Sequence, residues 1–140
     1  NCRFGDPETQ PIMMRLKSSL VDLVEAGIAG NLPTEAQWDE RKTVGIVLAS
    51  KGYPETSSKD DVIYGLDTEM TDAKVFHAGT AVNANGEIVT AGGRVLCVTA
   101  LGNTIGEAQA KALELCEKVT FDGVQYRKDI GYRAIAREQA

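Results

Sequence analysis

The sequence predicts an α+β fold in which an amphipathic helix precedes a block of short antiparallel strands and one further helix. Apolar residues recur at helical spacing between Pro11 and Ala29, β-branched runs separated by turn residues follow over 44–100, and a helix-capping pattern begins at Thr104. Because the strands arrive in one block rather than alternating with helices, α+β is favoured over a βαβ arrangement. With 140 residues, the chain is long enough for about one domain, or for one domain and part of a neighbour.

The first predicted element is a helix of about five turns from Pro11 to about Ala29. Its apolar face is formed by Ile12, Leu16, Leu20, Leu23, Val24 and Ile28. Proline suits a first helical position, and Gly30-Asn31 supplies a stop. Residues 31–43 are predicted to be a connection with one helical turn at Glu35 to Trp38. We therefore place a domain boundary after residue 36, which divides the chain into 1–36 and 37–140.

The next elements are predicted strands, beginning with the apolar run Val44 to Ala49, which ends at a Gly-Tyr-Pro turn. The other predicted strands are Val62 to Tyr64, Lys74 to Thr80, Ala81-Val82, Ile88-Val89 and Arg94 to Ala100. Asn85-Gly86 predicts a two-residue hairpin turn, and Gly92-Gly93 predicts a second turn. The strands are expected to form a meander.

The capping box Thr104-x-x-Glu107 predicts a second helix, which extends to about Val119. Its apolar face is formed by Ile105, Ala108, Ala112, Leu115 and Val119. Val124 to Tyr126 can return to the sheet, and Arg127 to Arg133 is predicted to be a charged turn.

Composition and charge exclude several classes of protein. Fifteen Lys+Arg against twenty Asp+Glu give a net charge of −5, which argues against a non-specific binder of nucleic acid or of anionic membranes. The apolar runs are far shorter than the ~20 residues that a membrane span needs. Cys2, Cys97 and Cys116 lack paired spacing and predict reduced thiols in a cytoplasmic protein. His77 is the single histidine and, within a strand, is more typical of a structural residue.

The chain opens on Asn-Cys-Arg-Phe-Gly-Asp-Pro-Glu without an initiator methionine, so we expect it to start inside a larger protein. An amide oxygen such as that of Asn1 suits Mg²⁺, which keeps several waters and binds substrate phosphate. Arg3 would share the face of Asn1 in an extended strand and could neutralise a transferring phosphoryl group. The alternative is a surface turn with ordinary ion pairs, and the residue types leave both interpretations open.

Motifs along nearly the whole chain resemble a known family. Asn1-x-Arg3 resembles the end of the Glu-x-Asn-x-Arg strand of ATP-grasp ligases, and residues 3–10, Arg-Phe-Gly-Asp-Pro-Glu-Thr-Gln, resemble the signature of the phosphoribosylamine–glycine ligase family. We call residues 3–10 the signature segment. Further agreement is found in Lys51 to Pro54, Phe76 to Thr80, Gly92 to Ala100 and Tyr126 to Ile135.

The resemblance implies an ATP-dependent ligase of purine synthesis. Residues 1–36 would then supply a strand and a long helix at the end of an ATP-grasp domain, and residues 37–140 would form the C-terminal domain. The family phosphorylates glycine with ATP and couples the glycyl phosphate to 5-phosphoribosylamine, giving glycinamide ribonucleotide. A further implication is that the rest of the ATP-grasp fold belongs to missing N-terminal segments of the same protein, so that this piece alone is inactive.

The resemblance also implies roles for particular residues. Asn1 would bind Mg²⁺ (or Mn²⁺), and Arg3 would bind ATP and stabilise the γ-phosphoryl group. Asp6, with Glu8 behind it, would meet the ammonium group of glycine.

A phosphate-bearing second substrate calls for a basic site, and Arg127 and Lys128 are the best candidates, although an ion-paired turn with Asp129 explains the same residues. The rival functions are another ATP-grasp carboxylate–amine ligase and a non-catalytic binding or packing module.

Overall fold

The computed structural model describes residues 3–140, so the predictions for Asn1 and Cys2 lie outside the described residues. Four helices and five strands follow one another in this part of the chain. In chain order they are α1 (Thr9–Arg15), α2 (Leu20–Ile28), β1 (Lys42–Ala49), β2 (Ala73–His77), β3 (Thr80–Val82), β4 (Ile88–Thr90), β5 (Arg94–Gly102), α3 (Ile105–Lys118) and α4 (Tyr132–Glu138). The α+β class is therefore confirmed.

The main sheet has the strand order β1-β5-β2, with both pairings antiparallel. The order is not that of a simple meander, because β5 lies between two strands that both precede it. The short strands β3 and β4 form a separate antiparallel hairpin. In β5 every residue after Arg94 is buried, as expected for a central strand covered on both faces.

Helix α3 packs on one face of the main sheet and builds the core. The residues at the centre of this contact are fully or almost fully buried: Ile46, Leu48, Leu96, Val98, Ala112 and Leu115. Each large side chain buried in this way stabilises the fold by about 1.5–3 kcal/mol relative to an exposed position. The predicted cap at Thr104 is present, since Thr104 Oγ1 accepts from the Glu107 amide at 3.1 Å, but Glu107 Oε2 accepts from the Asn103 amide at 2.8 Å instead of from the Thr104 amide that a complete capping box would use.

Helix α1 packs against the opposite face of the same sheet, where Gly45 makes room for it. A Cβ atom at Gly45 would lie 2.8 Å from Pro11 Cγ, and Thr43 Oγ1 donates to the Pro11 carbonyl at 3.3 Å. The signature segment runs directly into α1. The docking of α1 therefore fixes the signature segment relative to the sheet.

The prediction of one helix over residues 11–29 is wrong, because the helix is interrupted between Arg15 and Leu20. The amide groups of Lys17 and Ser18 both donate to the Gln37 carbonyl, at 2.9 and 3.3 Å, so this segment pairs with the connection instead of continuing the helix. Ser19 then caps α2 by accepting from the Asp22 amide at 3.2 Å. The helical turn predicted at Glu35 to Trp38 is absent from the described structure.

Several predicted strand limits also need correction. The run Lys74 to Thr80 is divided between β2 and β3, and Val62 to Tyr64 makes isolated bridges rather than a strand. Val124 to Tyr126 approaches the sheet through one bridge, between Ala49 and Gln125. The hairpin turn is longer than two residues because the Asn83 side chain accepts from the Asn85 and Glu87 amides, at 2.9 and 3.0 Å.

Cys97 and Cys116 are buried and free, in agreement with the prediction of reduced thiols. No helix among residues 3–140 combines the length and the apolar character that crossing a membrane requires.

Candidate functional site

A cleft of about 610 Å³ separates the signature segment from the turns at one end of the sheet. Its first wall is the signature segment, represented by Arg3, Phe4, Gly5, Asp6, Thr9 and Gln10. Its second wall consists of Tyr53, His77, Ala78, Gly79, Gly93 and Arg94. We refer to this space as the signature cleft.

The signature wall is shaped by hydrogen bonds around Gly5. The Thr9 amide donates to the Gly5 carbonyl at 3.0 Å, and the Thr9 hydroxyl donates to the same oxygen. A side chain at Gly5 would collide with the Glu8 carboxylate, since a Cβ atom there would lie 2.1 Å from Glu8 Oε1. The two hydrogen bonds from Thr9 close a turn at Gly5, and Asp6 follows it on the cleft wall.

The second wall is held together by close backbone approaches between glycines. A Cβ atom at Gly79 would lie 2.7 Å from the Arg94 carbonyl oxygen and 3.0 Å from Gly92 Cα. A Cβ atom at Gly93 would lie 2.3 Å from Tyr53 Cδ2, so the tyrosine ring packs directly on that backbone. These contacts fix the turn from which Arg94 projects.

One ion pair joins the two walls. Arg94 Nε lies 2.9 Å from Asp6 Oδ2, and both side chains are about two-fifths exposed. Gln10 Nε2 donates to the other carboxylate oxygen of Asp6 at 3.3 Å. A carboxylate oxygen accepts more than one hydrogen bond, so Asp6 keeps acceptor capacity for a ligand in the cleft.

His77 is a member of this cleft that sequence reasoning treated as structural. Its side chain is exposed, and its Nδ1 atom lies 3.0 Å from Thr80 Oγ1, a contact that orients the ring. The signal that pointed to it was its place in Phe76 to Thr80, one of the segments that resemble the ligase family. Tyr53 and Arg94 lie in other such segments.

The predicted site residues are only partly brought together. Arg3 and Asp6 line the signature cleft, and Glu8 packs behind it against Gly5. Arg127 lies elsewhere, in a smaller cavity of about 320 Å³ whose lining shares Tyr53 with the cleft. Asn1 lies outside the described residues, and residues 3–140 hold no group of three or more His, Cys, Asp and Glu side chains suited to a metal ion.

Arg127 is paired with a neighbouring carboxylate. Its Nε and Nη2 atoms donate to the two oxygens of Asp129, at 2.9 and 2.6 Å. These hydrogen bonds raise the pKa of Arg127 and lower the pKa of Asp129. The Lys128 side chain is exposed, while its carbonyl oxygen accepts from Gln109 Nε2 at 3.5 Å. The local charge is therefore partly compensated, as the ion-paired alternative expects.

Comparisons with known proteins point to the same family that the signature segment resembles. The family model described as phosphoribosylglycinamide synthetase, C domain, matches residues 43–133. The chain is 60% identical to phosphoribosylamine–glycine ligase of Vibrio parahaemolyticus, over 99% of this chain and 33% of the relative. It is 59% identical to phosphoribosylamine–glycine ligase of Yersinia pestis, over 98% of this chain and 32% of the relative.

A crystal structure of phosphoribosylamine–glycine ligase from Thermotoga maritima is similar to the fold described above, with a TM-score of 0.75 and 40% identity. The alignment covers 93% of this chain and 32% of the Thermotoga maritima chain. The chain thus spans about a third of the length of the relatives it matches. Since the family model matches well over half of its residues, the chain belongs to the phosphoribosylglycinamide synthetase C-domain family.

Proposed function

We propose that this chain is the C-terminal portion of an ATP-dependent ligase that joins glycine to 5-phosphoribosylamine in purine synthesis. The observation that carries the proposal is the signature segment, which folds into one wall of a cleft and brings Arg3 and Asp6 to face Arg94 and His77. The family membership and the identity to ligases of this name support it. The proposal includes a cytoplasmic location, in keeping with the free, buried thiols.

The proposed reaction has two steps. A carboxylate oxygen of glycine attacks the γ-phosphorus of ATP, which breaks the bond to ADP and forms glycyl phosphate. The amine nitrogen of phosphoribosylamine then attacks the acyl carbon, and inorganic phosphate leaves as the amide forms. Phosphoryl transfer depends mainly on positioning and charge neutralisation, which Arg3 would supply toward the γ-phosphoryl oxygens.

The remaining proposed roles are those that the resemblance to the ligase family implies. Asp6, with Glu8 behind it, would accept from the glycine ammonium, while Arg127 and Lys128 would bind the phosphate of phosphoribosylamine from outside the signature cleft. Asn1 would bind Mg²⁺ or Mn²⁺ through its amide oxygen. The metal would neutralise phosphate charge during transfer.

We also propose that residues 1–36 belong to an ATP-grasp domain and residues 37–140 to a C-terminal domain. Helix α2 supports this division because none of its residues is buried, although Leu20, Val21, Val24 and Ile28 are apolar. Ile28 is 83% exposed, a value that fits a helix whose packing partner is another segment. The missing N-terminal segments of the longer protein are the proposed partner, and residues 1–140 alone are expected to show no turnover.

The test is ADP release by the longer protein that carries this chain, with glycine and phosphoribosylamine omitted in turn. ADP that appears only when both are present supports the proposal. ADP formed with another acid but not with glycine would indicate a different ATP-grasp ligase, and no ADP under any condition would favour a non-catalytic module.

A pair of asparagine variants tests the metal role. Asn1→Ala is expected to lower kcat by at least about 10²-fold without lowering the unfolding temperature. Asn85→Ala, in the exposed β3–β4 turn, is the matched control and should leave kcat unchanged. Full turnover by Asn1→Ala would remove the residue from the proposed site.

A further inference from the structure

The ion pair between Asp6 and Arg94 joins two parts of the chain that approach one another only in the folded protein. Asp6 belongs to the signature segment, and Arg94 is the first residue of β5, the central strand of the sheet. The contact of 2.9 Å therefore links the proposed glycine-binding carboxylate to the most buried strand of the fold.

Arg94 starts from a rigid backbone. Its carbonyl oxygen accepts from the Gly79 amide at 3.0 Å, and the preceding carbonyl, of Gly93, accepts from the Ser50 amide at 2.9 Å. Ser50 is completely buried, so this second bond is shielded from water. The backbone on both sides of this peptide is thus held by hydrogen bonds within the fold itself.

Asp6 has weaker support from its own segment. Its Oδ1 atom accepts from the neutral Gln10 amide at 3.3 Å, near the long end of hydrogen-bond distances. Arg94 contributes the charged contact, on Oδ2. Since charge-assisted contacts are roughly twice as strong as neutral ones, Arg94 rather than Gln10 determines where the carboxylate points.

The ion pair contributes little to stability, because exposed ion pairs are screened by water and require two side chains to be ordered. Its consequence is geometric. With Oδ2 turned toward Arg94 and Oδ1 toward Gln10, the carboxylate lies in one orientation on the cleft wall and keeps lone-pair capacity for a further donor.

We propose that Arg94 is a positioning residue that holds the Asp6 carboxylate in the orientation that receives the ammonium group of the amino-acid substrate. This inference rests on the proposed function and extends it, since it places one determinant of glycine binding on the C-terminal domain. Arg94 acts through Asp6, so its effect depends on the carboxylate being present.

The experiment is a double-mutant cycle in the longer protein, with the KM for glycine measured at saturating ATP and phosphoribosylamine. Arg94→Ala is expected to raise this KM about tenfold or more, because misplacing a binding group by ~1 Å can cost ~10²-fold. The unfolding temperature should remain unchanged. Arg94→Lys keeps the charge without the planar donor group and is expected to give an intermediate KM.

The decisive comparison is made in the Asp6→Asn background. There Arg94→Ala is expected to raise the KM for glycine less than twofold further, because the carboxylate it positions is gone. Arg137→Ala, a matched change at an exposed arginine of α4, should leave the KM at the wild-type value.

Additive effects in the cycle would overturn the inference, since they would mean that Arg94 acts independently of Asp6. The inference would also be overturned if Arg94→Ala retained ligase activity with an unchanged KM for glycine. If wild-type protein releases no glycine-dependent ADP, the proposed function itself fails and the inference fails with it, so the two failures are distinguishable.

Discussion

Arg41 and Asp72 form an ion pair of 2.9 Å that spans one end of the main sheet. Arg41 directly precedes β1 and Asp72 directly precedes β2, the two strands that lie on either side of β5. Arg41 also contacts Asp39 at 2.8 Å, and Lys111 of α3 lies 3.5 Å from Asp72. Hydrogen bonds from Arg41 hold the pKa values of Asp39 and Asp72 below their ordinary value of 3.8.

This network predicts a specific loss of stability in acid. A carboxyl group with a lowered pKa in the folded state contributes stability above its unfolded pKa, and this contribution disappears as the pH falls through the folded pKa. We therefore expect the unfolding temperature of the wild type to decrease as the pH is lowered below about 4. Arg41→Gln should start lower at about pH 6 and fall less steeply, while Arg137→Gln should follow the wild type. Parallel wild-type and Arg41→Gln curves would contradict this account.

Gly93→Ala is expected to damage the signature cleft, because the new methyl group would lie 2.3 Å from Tyr53 Cδ2. The ring or the backbone must move, at a cost of about 1–3 kcal/mol in the free energy of unfolding. Since Arg94 follows directly, the proposed function also requires the KM for glycine to rise in the longer protein. Thermal unfolding and steady-state kinetics measure the two effects. Gly106→Ala in α3, where the nearest atom is 3.8 Å away, should be neutral or stabilising.

Alanine variants at Gly65 and Gly86 allow the cost of backbone strain to be distinguished from the cost of a steric collision. Their φ values are +81° and +82°, but a Cβ atom at Gly65 would lie 2.0 Å from the Lys118 carbonyl oxygen, whereas Gly86 has nothing within 4 Å. Both alanine variants carry the cost of a left-handed residue. Gly65→Ala should lose about 1–3 kcal/mol more than Gly86→Ala in denaturant unfolding. Equal losses would show that the chain relaxes around Lys118.

Cys97 and Cys116 are expected to resist thiol reagents in the native protein. Burial raises the pKa of Cys116 to about 12 and raises the pKa of Cys97 above its ordinary value. Below pH 9 both residues therefore remain in the thiol form, whereas the thiolate is the form that reacts. Peptide mass spectrometry after brief alkylation should find both residues unmodified in buffer and modified in denaturant. Rapid native modification of either residue would mean that the core opens more readily than its packing implies.

Arg127 and Asp6 should affect different substrates if the proposed roles are right. Arg127→Gln is expected to raise the KM for phosphoribosylamine about tenfold and leave the KM for glycine unchanged, since it removes a charged phosphate contact. Asp6→Asn is expected to do the reverse. Because Arg127 and Asp129 are an exposed pair, the unfolding temperature should barely change. An effect of Arg127→Gln on glycine alone would assign that residue to the other substrate.

Local sequence patterns predicted the long helix α3 well and helix α1 poorly, for a physical reason. The cap at Thr104 and the apolar face of α3 are local and agree with each other. The apolar period from Ile12 to Ile28 is equally regular, but the segment after Arg15 pairs with Gln37, and no local rule contains that contact. The Ser-x-x-Asp pattern at Ser19 was the available sign of a second helix start.

The residues of the candidate site likewise fall into a group that local sequence predicts and a group that only the tertiary fold brings together. Arg3 and Asp6 were found because the signature segment is contiguous. Tyr53, His77 and Arg94 were not assigned, since their approach to that segment depends on glycine-to-glycine contacts between turns far apart in the sequence. Such contacts follow from the tertiary fold rather than from spacing.

The strand order β1-β5-β2 also constrains when the sheet can form during synthesis. Strands β1 and β2 do not pair with each other. Each pairs only with β5 in the main sheet, and β5 ends at Gly102. Strand β1 ends at Ala49, so about 50 further residues must leave the ribosome before its whole sheet partner β5 is available. Long-range closure of this kind is slow compared with helix formation. The nascent chain therefore passes through a period in which β1 is exposed to chaperones and to other nascent chains, and that period ends only when the central strand arrives.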